Sequence, residues 1–330
     1  MGEGEIMSAV IISDTHFGLD SSTLSDPSKV DRLMKEISVY GGGCDQVILL
    51  GDIFDFWRVR PENALRESVP LLKRLGEEDL KIHYVVGNHD HHLVVQKQES
   101  DFMERTARGD LFPVYSPSLR WRQTINGLNI DMLYPTYRIR CCHRTVLFTH
   151  GHHLAGIHIF TMQMVERIRR LYGEELLPAD LEMMMAYAYE SIYRSSYIGE
   201  MVSFEERVWK ASSLLQRITT GVFHDRHIAS VEAQYEAIER FIRDRNLGEI
   251  DCFIYGDTHR AGIFQRMGGP LAVNAGSFTR VPGKGSRIKT PDTYIILDED
   301  GLALRRLGKA EPLFLCELHI HSYRDWRRLL

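Results

Sequence analysis

The stretch VILLGDIFDF, residues 47–56, is the most informative part of the sequence about the fold. Four apolar residues run into Gly51 and Asp52, and Asp55 follows three residues later. An isolated buried carboxylate is costly unless it is paired or binds a metal ion. The stretch therefore predicts a buried strand that leads into a metal or ion-pair site, with the remaining partners supplied from elsewhere in the chain.

Similar apolar runs recur along the chain and predict further buried strands. They are SAVIIS (8–13), QVILL (46–50), KIHYVV (81–86), NIDML (129–133) and TVLFT (145–149), and later DCFIYG (251–256), GIFQRM, LAVNAG and TYIILD. Apolar residues at helical spacing predict one helix over 27–37, beginning after Asp26, and another over 62–76, ending at Gly76. Strands that alternate with helices indicate a mixed α/β fold.

Residue types that bind metals follow five of these strands. They are Asp14-Thr15-His16, Gly51-Asp52 with Asp55, Gly87-Asn88-His89-Asp90, His150-Gly151-His152 and Asp257-Thr258-His259. Functional sites in open α/β sheets form beyond the carboxyl ends of the strands. One such residue would mean little, but five strand ends that each deliver Asp, Asn or His predict one shared site.

Residues 154–246 differ from the rest of the chain, because strand patterns are almost absent there. Amphipathic helical spacing runs through LAGIHIFTMQMVERIRRLY, FEERVWKASSLLQRITTGVF and VEAQYEAIERFI. We therefore predict an α/β domain formed by residues 1–153 and 247–330, interrupted by an all-α insert over 154–246. The Met- and Tyr-rich stretch 181–201 suits either helix packing or a groove for flexible apolar ligands, because methionine adapts to both.

Composition excludes several classes of protein. The chain of 330 residues carries a net charge of -5, whereas a dedicated nucleic-acid binder would usually be basic. Five cysteines without pair-like spacing favour reduced thiols and a cytoplasmic protein. The N-terminal residues lack a signal-peptide pattern, and no apolar run reaches the length of a membrane span.

The ordered set DTH, GDIFD, GNHD, THGH and GDTH, followed by VNAGS, resembles the motifs of the calcineurin-like metallophosphoesterase superfamily. The resemblance implies a β-sandwich flanked by helices, with two divalent metal ions side by side. By the same resemblance, the first ion takes Asp14, His16, Asp52 and His259, and the second takes Asp52, Asn88, His150 and Asp257. Asp52 would bridge the ions, and Asp55 would orient a ligand without binding metal itself.

One position departs from the motif pattern of the superfamily. The last motif is normally Gly-His-x-His, whereas this chain has Gly256, Asp257, Thr258 and His259. Either Asp257 binds the second ion through oxygen or that site is weakened, and we favour the first because carboxylates are competent ligands. Oxygen donors at the second site favour Mn²⁺, the ion that we expect, with Mg²⁺, Fe and Zn²⁺ as the alternatives.

The resemblance also implies a reaction. Two metal ions about 4 Å apart lower the pKa of a shared water, whose hydroxide attacks phosphorus. His89 would protonate the leaving oxygen with Asp90 orienting it, and the alternative is a purely structural His89. His91 and His92 are expected in a solvated or packed loop. His152 is expected near the substrate phosphate or the first metal ion.

Two features are similar to one branch of the superfamily, the UDP-2,3-diacylglucosamine pyrophosphatases. They are the Phe-x-x-Trp stretch from Phe54 to Trp57 and the place of the insert, which in that branch is a helical lid over an acylated sugar nucleotide. The branch implies a lipid-linked phosphodiester or pyrophosphate substrate and contact of the lid with the inner face of the membrane. Arg58 and Arg60, like His152, are candidates for contact with substrate phosphate.

The resemblance to this branch is incomplete, so other functions stay open. The best-known members carry Arg where this chain has His89, and the insert is longer here. A soluble phosphodiesterase or nucleotidase, a nuclease, and a non-catalytic scaffold are the alternatives. The basic stretch SYRDWRRLL (322–330) is expected to pack against the protein, with weak docking to a membrane surface as its alternative.

Overall fold

The computed structural model describes residues 8–78, 80–110, 118–141, 143–154, 167, 185–186, 188–191, 193–194, 230–282, 288–289 and 292–316. Most of the predicted insert and the C-terminal stretch 322–330 lie outside the described residues. Within them, the structure is a mixed α/β fold with two main sheets and several helices, as the sequence predicts.

The first sheet has eight strands in the order β15-β14-β13-β1-β2-β3-β5-β4. Its centre is parallel and consists of β1 (Ser8–Ile12), β2 (Gln46–Leu50), β3 (Lys81–Val85) and β5 (Leu128–Tyr134). Antiparallel strands flank it: β4 (Leu119–Ile125), β13 (Thr293–Asp298), β14 (Leu302–Arg306) and β15 (Phe314–Cys316). The central strands are buried on both faces, which explains their nearly continuous apolar sequences.

The second sheet has five strands in the order β6-β7-β8-β10-β9. They are β6 (Thr136–Cys141), β7 (Arg144–Thr149), β8 (Cys252–Tyr255), β9 (Gly262–Phe264) and β10 (Leu271–Asn274). β8 pairs in parallel with β7 and β10, so these three strands end at the same side. A separate two-stranded ribbon joins β11 (Val281–Pro282) and β12 (Ile288–Lys289).

Four helices of more than one turn are described: α1 (Pro27–Tyr40), α2 (Pro61–Glu77), α3 (His92–Ala107) and α4 (Val231–Asp244). Asp26 caps α1 as predicted, because its side chain accepts the backbone N–H of Ser28. The prediction that Gly76 ends α2 is off by one residue, since the helix runs on to Glu77. The expected loop at His92 is wrong, because α3 begins there.

The two sheets pack face to face, and helices cover their outer faces. Apolar residues of β1, β2, β7 and β8 meet in one buried cluster between the sheets, among them Ile11, Ile48, Phe148 and Ile254. A second cluster joins the outer face of the first sheet to α1 and α2. Burial of these faces supplies the main driving force for the layered arrangement.

The C-terminal end of the predicted insert belongs to this layered body. In α4, Tyr235 and Ile238 are fully buried against Phe253 and Tyr255 of the second sheet. Strand β7 leads into a short 3₁₀ helix, His152–Leu154, which contacts α4. The division into two domains at residues 154 and 246 stays a prediction.

Two further expectations concern thiols and membranes. In the described part of the chain, Cys44, Cys141, Cys252 and Cys316 form no disulfide bond. Among the described helices, none is both long enough and apolar enough to cross a membrane.

Candidate metal centre

The loops after β1, β2, β7 and β8 come together where the two sheets meet. Backbone hydrogen bonds join the first two loops, from Asp14 N to Gly51 O at 3.1 Å and from His16 N to Asp52 O at 2.9 Å. The third and fourth loops are joined by Gly256 N and His150 O at 2.7 Å. The convergence expected from the sequence is therefore built by main-chain contacts between the loops themselves.

The backbone of this region is strained at the candidate ligands. Five of the nine described non-glycine residues with positive φ are expected metal ligands: Asp14 (52°), His16 (46°), Asp52 (50°), Asp257 (66°) and His259 (58°). Residues other than glycine adopt this left-handed conformation at a cost in free energy, and such residues cluster at functional sites. The strain turns consecutive side chains toward a common point beyond the strand ends.

Three of the expected ligands of the first ion form a compact group, in which Asp14 and His16 are buried and His259 is half-buried. Asp14, His16 and His259 each place one ligand atom within 4.8 Å of the others. The Nε2 of His259 lies 3.2 Å from both Asp14 Oδ1 and His16 Nε2. Two imidazole nitrogens and a carboxylate at this spacing are a donor set that suits a divalent transition metal.

A second group adjoins the first and shares Asp14 with it. Asp14, Asp52 and His150 also place ligand atoms within 4.8 Å of one another. The Oδ2 of Asp52 lies 3.1 Å from His150 Nε2 and 3.6 Å from His16 Nε2. The Oδ1 of Asp257 lies 3.9 Å from the same nitrogen of His150. Asp52 thus stands between the two groups, and Asp257 borders the second.

Buried atoms of three expected ligands have no hydrogen-bond partner: Asp14 Oδ1, Asn88 Oδ1 and His150 Nε2. Buried polar atoms without partners cost free energy, so native proteins rarely leave several together unless a ligand satisfies them. All three atoms are of types that bind divalent cations as ligands. The residues present therefore fit a metal centre.

Each expected histidine ligand is held by a contact at its other ring nitrogen. The Nδ1 of His16 lies 2.9 Å from Asp55 Oδ2, that of His150 lies 3.0 Å from Leu50 O, and that of His259 lies 3.1 Å from Thr279 Oγ1. Such contacts fix the tautomer and leave Nε2 to face the metal. Asp55 has the orienting position that the resemblance implied, whereas Thr279 gave no signal in the sequence.

Glycine is required where the loops meet. A Cβ on Gly87 would lie 2.3 Å from Asp52 Oδ1, and a Cβ on Gly256 would lie 2.3 Å from Asp14 Oδ2. Both distances are far below van der Waals contact. The glycines of the GNHD and GDTH motifs therefore allow the backbone to approach the carboxylates of neighbouring loops.

Comparison with known proteins identifies the family of this chain. The family model for calcineurin-like phosphoesterases matches residues 7–261 of this chain. The chain belongs to the calcineurin-like phosphoesterase family. It is accordingly a hydrolase of phosphoester bonds, and its buried Asp and His residues are a candidate divalent metal centre. No curated protein matches the sequence significantly.

Solved structures resemble this phosphoesterase only distantly. A dimetal phosphatase from Danio rerio is 13% identical, with a TM-score of 0.42, and covers 93% of this chain and 98% of its own. A predicted phosphoesterase from Streptococcus pneumoniae TIGR4 is 11% identical, with a TM-score of 0.33, and covers 94% and 98%. Vps29 from Chaetomium thermophilum is 13% identical, with a TM-score of 0.35, and covers 90% and 85%. The family assignment rests on the family model, not on these likenesses.

In the phosphoesterase site, neighbouring charges and burial shift the pKa values of the expected ligands in opposite directions. Burial alone would raise the pKa of Asp52, but the charges of His150 and His89 hold that pKa well below its ordinary range. Burial lowers the pKa of His16, and its hydrogen bond to Asp55 only partly offsets this. The metal-free site therefore favours an ionised Asp52 and a neutral His16. Burial would lower the pKa of His150, but the charge of Asp52 raises that pKa well above its ordinary value, so metal binding must displace a proton from His150.

His89 lies beside Asp55, not beside Asp90 as expected. Its Nδ1 is 3.0 Å from Asp55 Oδ2, and its backbone N–H donates to Asp52 Oδ1 at 2.9 Å. Burial would lower the pKa of His89, but the charges of Asp55 and Asp52 outweigh burial and raise it to about 9. A protonated imidazole close to the candidate metal centre can act as a general acid.

Asp90 supports the backbone of the site instead. It accepts hydrogen bonds from Gly87 N at 2.6 Å, from Ile53 N at 2.9 Å and from the hydroxyl of Tyr84. Burial and the charge of Asp52 raise its pKa to about 7. The expected role in orienting His89 belongs to Asp55, because the side chain of Asp90 is directed toward the loop after β2.

The residues expected to contact substrate phosphate are Arg58, Arg60 and His152, and they differ in how close they lie to the candidate metal centre. The Nη1 of Arg58 lies 3.6 Å from Asp55 Oδ2, and Arg60 is exposed at the start of α2. The ring of His152 is buried, and its centroid lies 5.6 Å from that of His150 in the second group. Of these three residues, Arg58 and His152 border the centre.

Sequence reasoning missed an aromatic cluster next to His89. Trp57 stacks on His89, and Tyr189 from the predicted insert contacts both Trp57 and His91. Trp57 stood out only as part of the aromatic stretch after Asp52. No periodicity signals such contacts, because the partners are far apart in the chain.

Proposed function

We propose that this phosphoesterase is a dinuclear-metal hydrolase of phosphodiester or pyrophosphate bonds. The observation that carries the proposal is the position of Asp52. Its Oδ2 lies 3.6 Å from His16 Nε2 and 3.1 Å from His150 Nε2, so one carboxylate reaches both ligand groups. A carboxylate in this position suits two ions about 4 Å apart.

The ligand assignment follows the two groups. The first ion would be held by Asp14, His16, Asp52 and His259, and the second by Asp52, Asn88, His150 and Asp257. The distance of 3.9 Å between Asp257 Oδ1 and His150 Nε2 supports a role for Asp257 as an oxygen ligand. Because the second set is rich in oxygen, we propose Mn²⁺ as the native ion.

The residues of the chain would perform the remaining chemistry. Two bound divalent ions would supply an activated water and neutralise charge on the phosphate. His89 would then give a proton from Nε2 to the leaving oxygen, because its Nδ1 is occupied by Asp55. Arg58, which also contacts Asp55, borders the same region and would add positive charge toward a substrate phosphate.

For the substrate, we propose a sugar nucleotide or lipid-linked pyrophosphate, of the UDP-2,3-diacylglucosamine type. The Phe54 to Trp57 stretch supports this, because it lies next to the centre and its Trp57 stacks on His89. The same proposal includes contact of the acyl chains with the predicted lid, contact of that lid with a membrane, and a cytoplasmic location. They concern residues that are mostly outside the described part of the chain.

The reaction class is tested first with metal-stripped protein. Restoring Mn²⁺ should restore hydrolysis of bis(4-nitrophenyl) phosphate, and Asp52→Asn should lose at least about a hundredfold in kcat/KM. Asp31→Asn, at an exposed acid on α1, is the matched control and should keep full activity. Activity that is independent of metal would contradict the proposal.

The substrate class is tested by comparing UDP-2,3-diacylglucosamine with UDP-N-acetylglucosamine and identifying the products. A strong preference for the acylated compound, with release of UMP, would support the lipid-linked substrate. Equal or no turnover of both compounds, with activity on the aryl phosphodiester, would leave the metal hydrolase and remove this substrate.

A further inference from the structure

Trp57 marks the side of the centre on which a leaving group would lie. Its ring lies nearly parallel to that of His89, with the centroids 4.1 Å apart and an interplanar angle of 26°. Trp57 itself is only partly buried. Because His89 is the proposed proton donor to the leaving oxygen, the group that departs must lie beside His89 and hence beside Trp57.

Tyr189 packs directly against Trp57 in this region. It is buried, and its ring lies 5.7 Å from Trp57, 5.1 Å from His91 and 5.7 Å from His152. The Trp57 and Tyr189 rings are inclined to each other by only 31°. At this separation the two tilted rings touch each other and leave no gap for a third ring, so a flat ligand would stack on the partly exposed surface of Trp57 beside Tyr189.

His91 adds unused polar atoms to the same cluster. It is 1% exposed, and neither ring nitrogen has a hydrogen-bond partner. Burial lowers its pKa to about 3, so the ring is neutral and offers one donor and one acceptor. A buried imidazole with both nitrogens unsatisfied is unfavourable unless a ligand completes it.

Contacts of the neighbouring residues hold Tyr189 in place. Glu190 is buried and accepts a hydrogen bond at 2.8 Å from Nδ1 of His92, the first residue of α3. Tyr193 stacks on the same imidazole with the centroids 3.8 Å apart. Glu190 is therefore a positioning residue for Tyr189, since it ties this part of the chain to the helix that follows His91.

We propose that Trp57, His91 and Tyr189 form a subsite for the nucleobase of a nucleotide leaving group. The inference rests on the proposed function and names the half of the substrate that lies next to His89. A nucleobase has both a flat face for the Trp57 surface beside Tyr189 and edge groups for the imidazole nitrogens. An acyl chain in this position would leave His91 unsatisfied, so the geometry favours the base.

The test measures binding to the Mn²⁺-loaded protein by calorimetry, with UMP, ribose 5-phosphate and inorganic phosphate as probes. UMP should bind at least about fivefold more tightly than ribose 5-phosphate, the low end of what stacking of one base contributes. Tyr189→Leu and His91→Phe should each reduce this ratio toward one and leave the affinity for phosphate unchanged. Tyr189→Phe, which keeps the ring, should retain most of the ratio.

Two controls separate a lost subsite from a damaged protein. Unchanged phosphate affinity shows that a variant is folded and metal-loaded. His143→Asn, in the exposed turn between β6 and β7 where φ is 60°, should behave as wild type because asparagine tolerates this conformation. Glu190→Ala should weaken UMP binding, whereas Glu190→Gln, which can still accept from His92, should not.

Each outcome decides a different question. Equal affinity for UMP and ribose 5-phosphate, or an undiminished ratio in both Tyr189→Leu and His91→Phe, would overturn the subsite and leave the proposed function intact. If the metal-loaded protein binds none of the three probes and hydrolyses no phosphodiester, the proposed function fails and the subsite fails with it.

Discussion

The Oδ2 of Asp55 lies 3.0 Å from Nδ1 of His89 and 2.9 Å from Nδ1 of His16. One carboxylate thus holds both the proposed proton donor and an expected metal ligand. This explains the second aspartate of the GDIFD motif, which stands three residues after Asp52. Removing its charge should disturb acid catalysis and metal binding together.

We expect Asp55→Asn to lower metal affinity and activity by about 10- to 100-fold, the usual effect of losing a partner of a metal ligand. The Asp55 charge is the largest contribution that raises the pKa of His89. His89 must be protonated to act as an acid, so activity falls as pH rises through its pKa. In Asp55→Asn this basic limb of the pH–rate profile should move to lower pH, and an unmoved limb would contradict the role of Asp55.

His89→Gln should reveal a dependence on the leaving group. We expect kcat to fall by about 10²- to 10⁴-fold for substrates whose leaving oxygen needs a proton. The loss should be much smaller for a 4-nitrophenyl ester, because nitrophenolate leaves without one. Rates measured over a series of phosphodiesters test this, and an equal loss for all leaving groups would point to a structural His89.

Gly87→Ala should damage the metal centre without a change of charge. Its Cβ would lie 2.3 Å from Asp52 Oδ1 and 2.5 Å from Asp52 N, so the Asp52 carboxylate must shift. We expect metal affinity to fall by at least about tenfold. The matched control is Gly76→Ala within α2, where the nearest atom is a flexible Leu128 methyl at 3.2 Å.

The control should fold normally, with a free energy of unfolding within about 1 kcal/mol of wild type, because alanine favours a helix. Both variants can be compared by metal titration and by urea unfolding. Wild-type metal affinity in Gly87→Ala would show that the loop after β3 is less tightly fitted than the structure indicates.

His91 makes the folded protein sensitive to acid. Its pKa is lowered to about 3 in the folded state, so below its ordinary value of 6.5 the unfolded chain binds a proton that the folded one does not. The free energy of unfolding therefore decreases as the pH is lowered through this window, by up to about 1.4 kcal/mol per pH unit from this group. His91→Phe should lose roughly 1.6 kcal/mol less than wild type between about pH 6.5 and pH 5.

Urea unfolding with a chelator present, at several pH values, measures this difference. The chelator removes the contribution of protons that compete with metal for the other histidines. Parallel stability curves for wild type and His91→Phe would contradict the neutral, buried state of His91.

The strands and their polar ends were predictable because each depends on a local pattern. The apolar run before Asp52 is buried on both faces, and β1 and β2 are parallel neighbours, so Asp14 and Asp52 meet at one edge of the first sheet. His150 follows β7 of the second sheet and joins them where the two sheets meet. The motif order then supplied the assignment to two ions. These inferences need no knowledge of side-chain contacts.

Other features depend on contacts that no local pattern encodes. Asp90 follows His89 directly, yet the charge beside His89 comes from Asp55, because the turn directs Asp90 toward Tyr84 and Ile53. Strand β4 was missed because it is a largely exposed edge strand with a polar sequence. The stacking of Trp57 on His89 likewise depends on how two separate loops pack.

The most direct test of the dinuclear centre combines metal analysis with electron paramagnetic resonance of the Mn²⁺-loaded protein. Two ions per chain that share Asp52 at about 4 Å should give the signal of an exchange-coupled pair. Asp257→Asn should weaken the binding of one of the two ions, and Asp52→Asn should abolish the exchange coupling between them. A single uncoupled Mn²⁺ per wild-type chain, at saturating metal, would contradict the dinuclear centre.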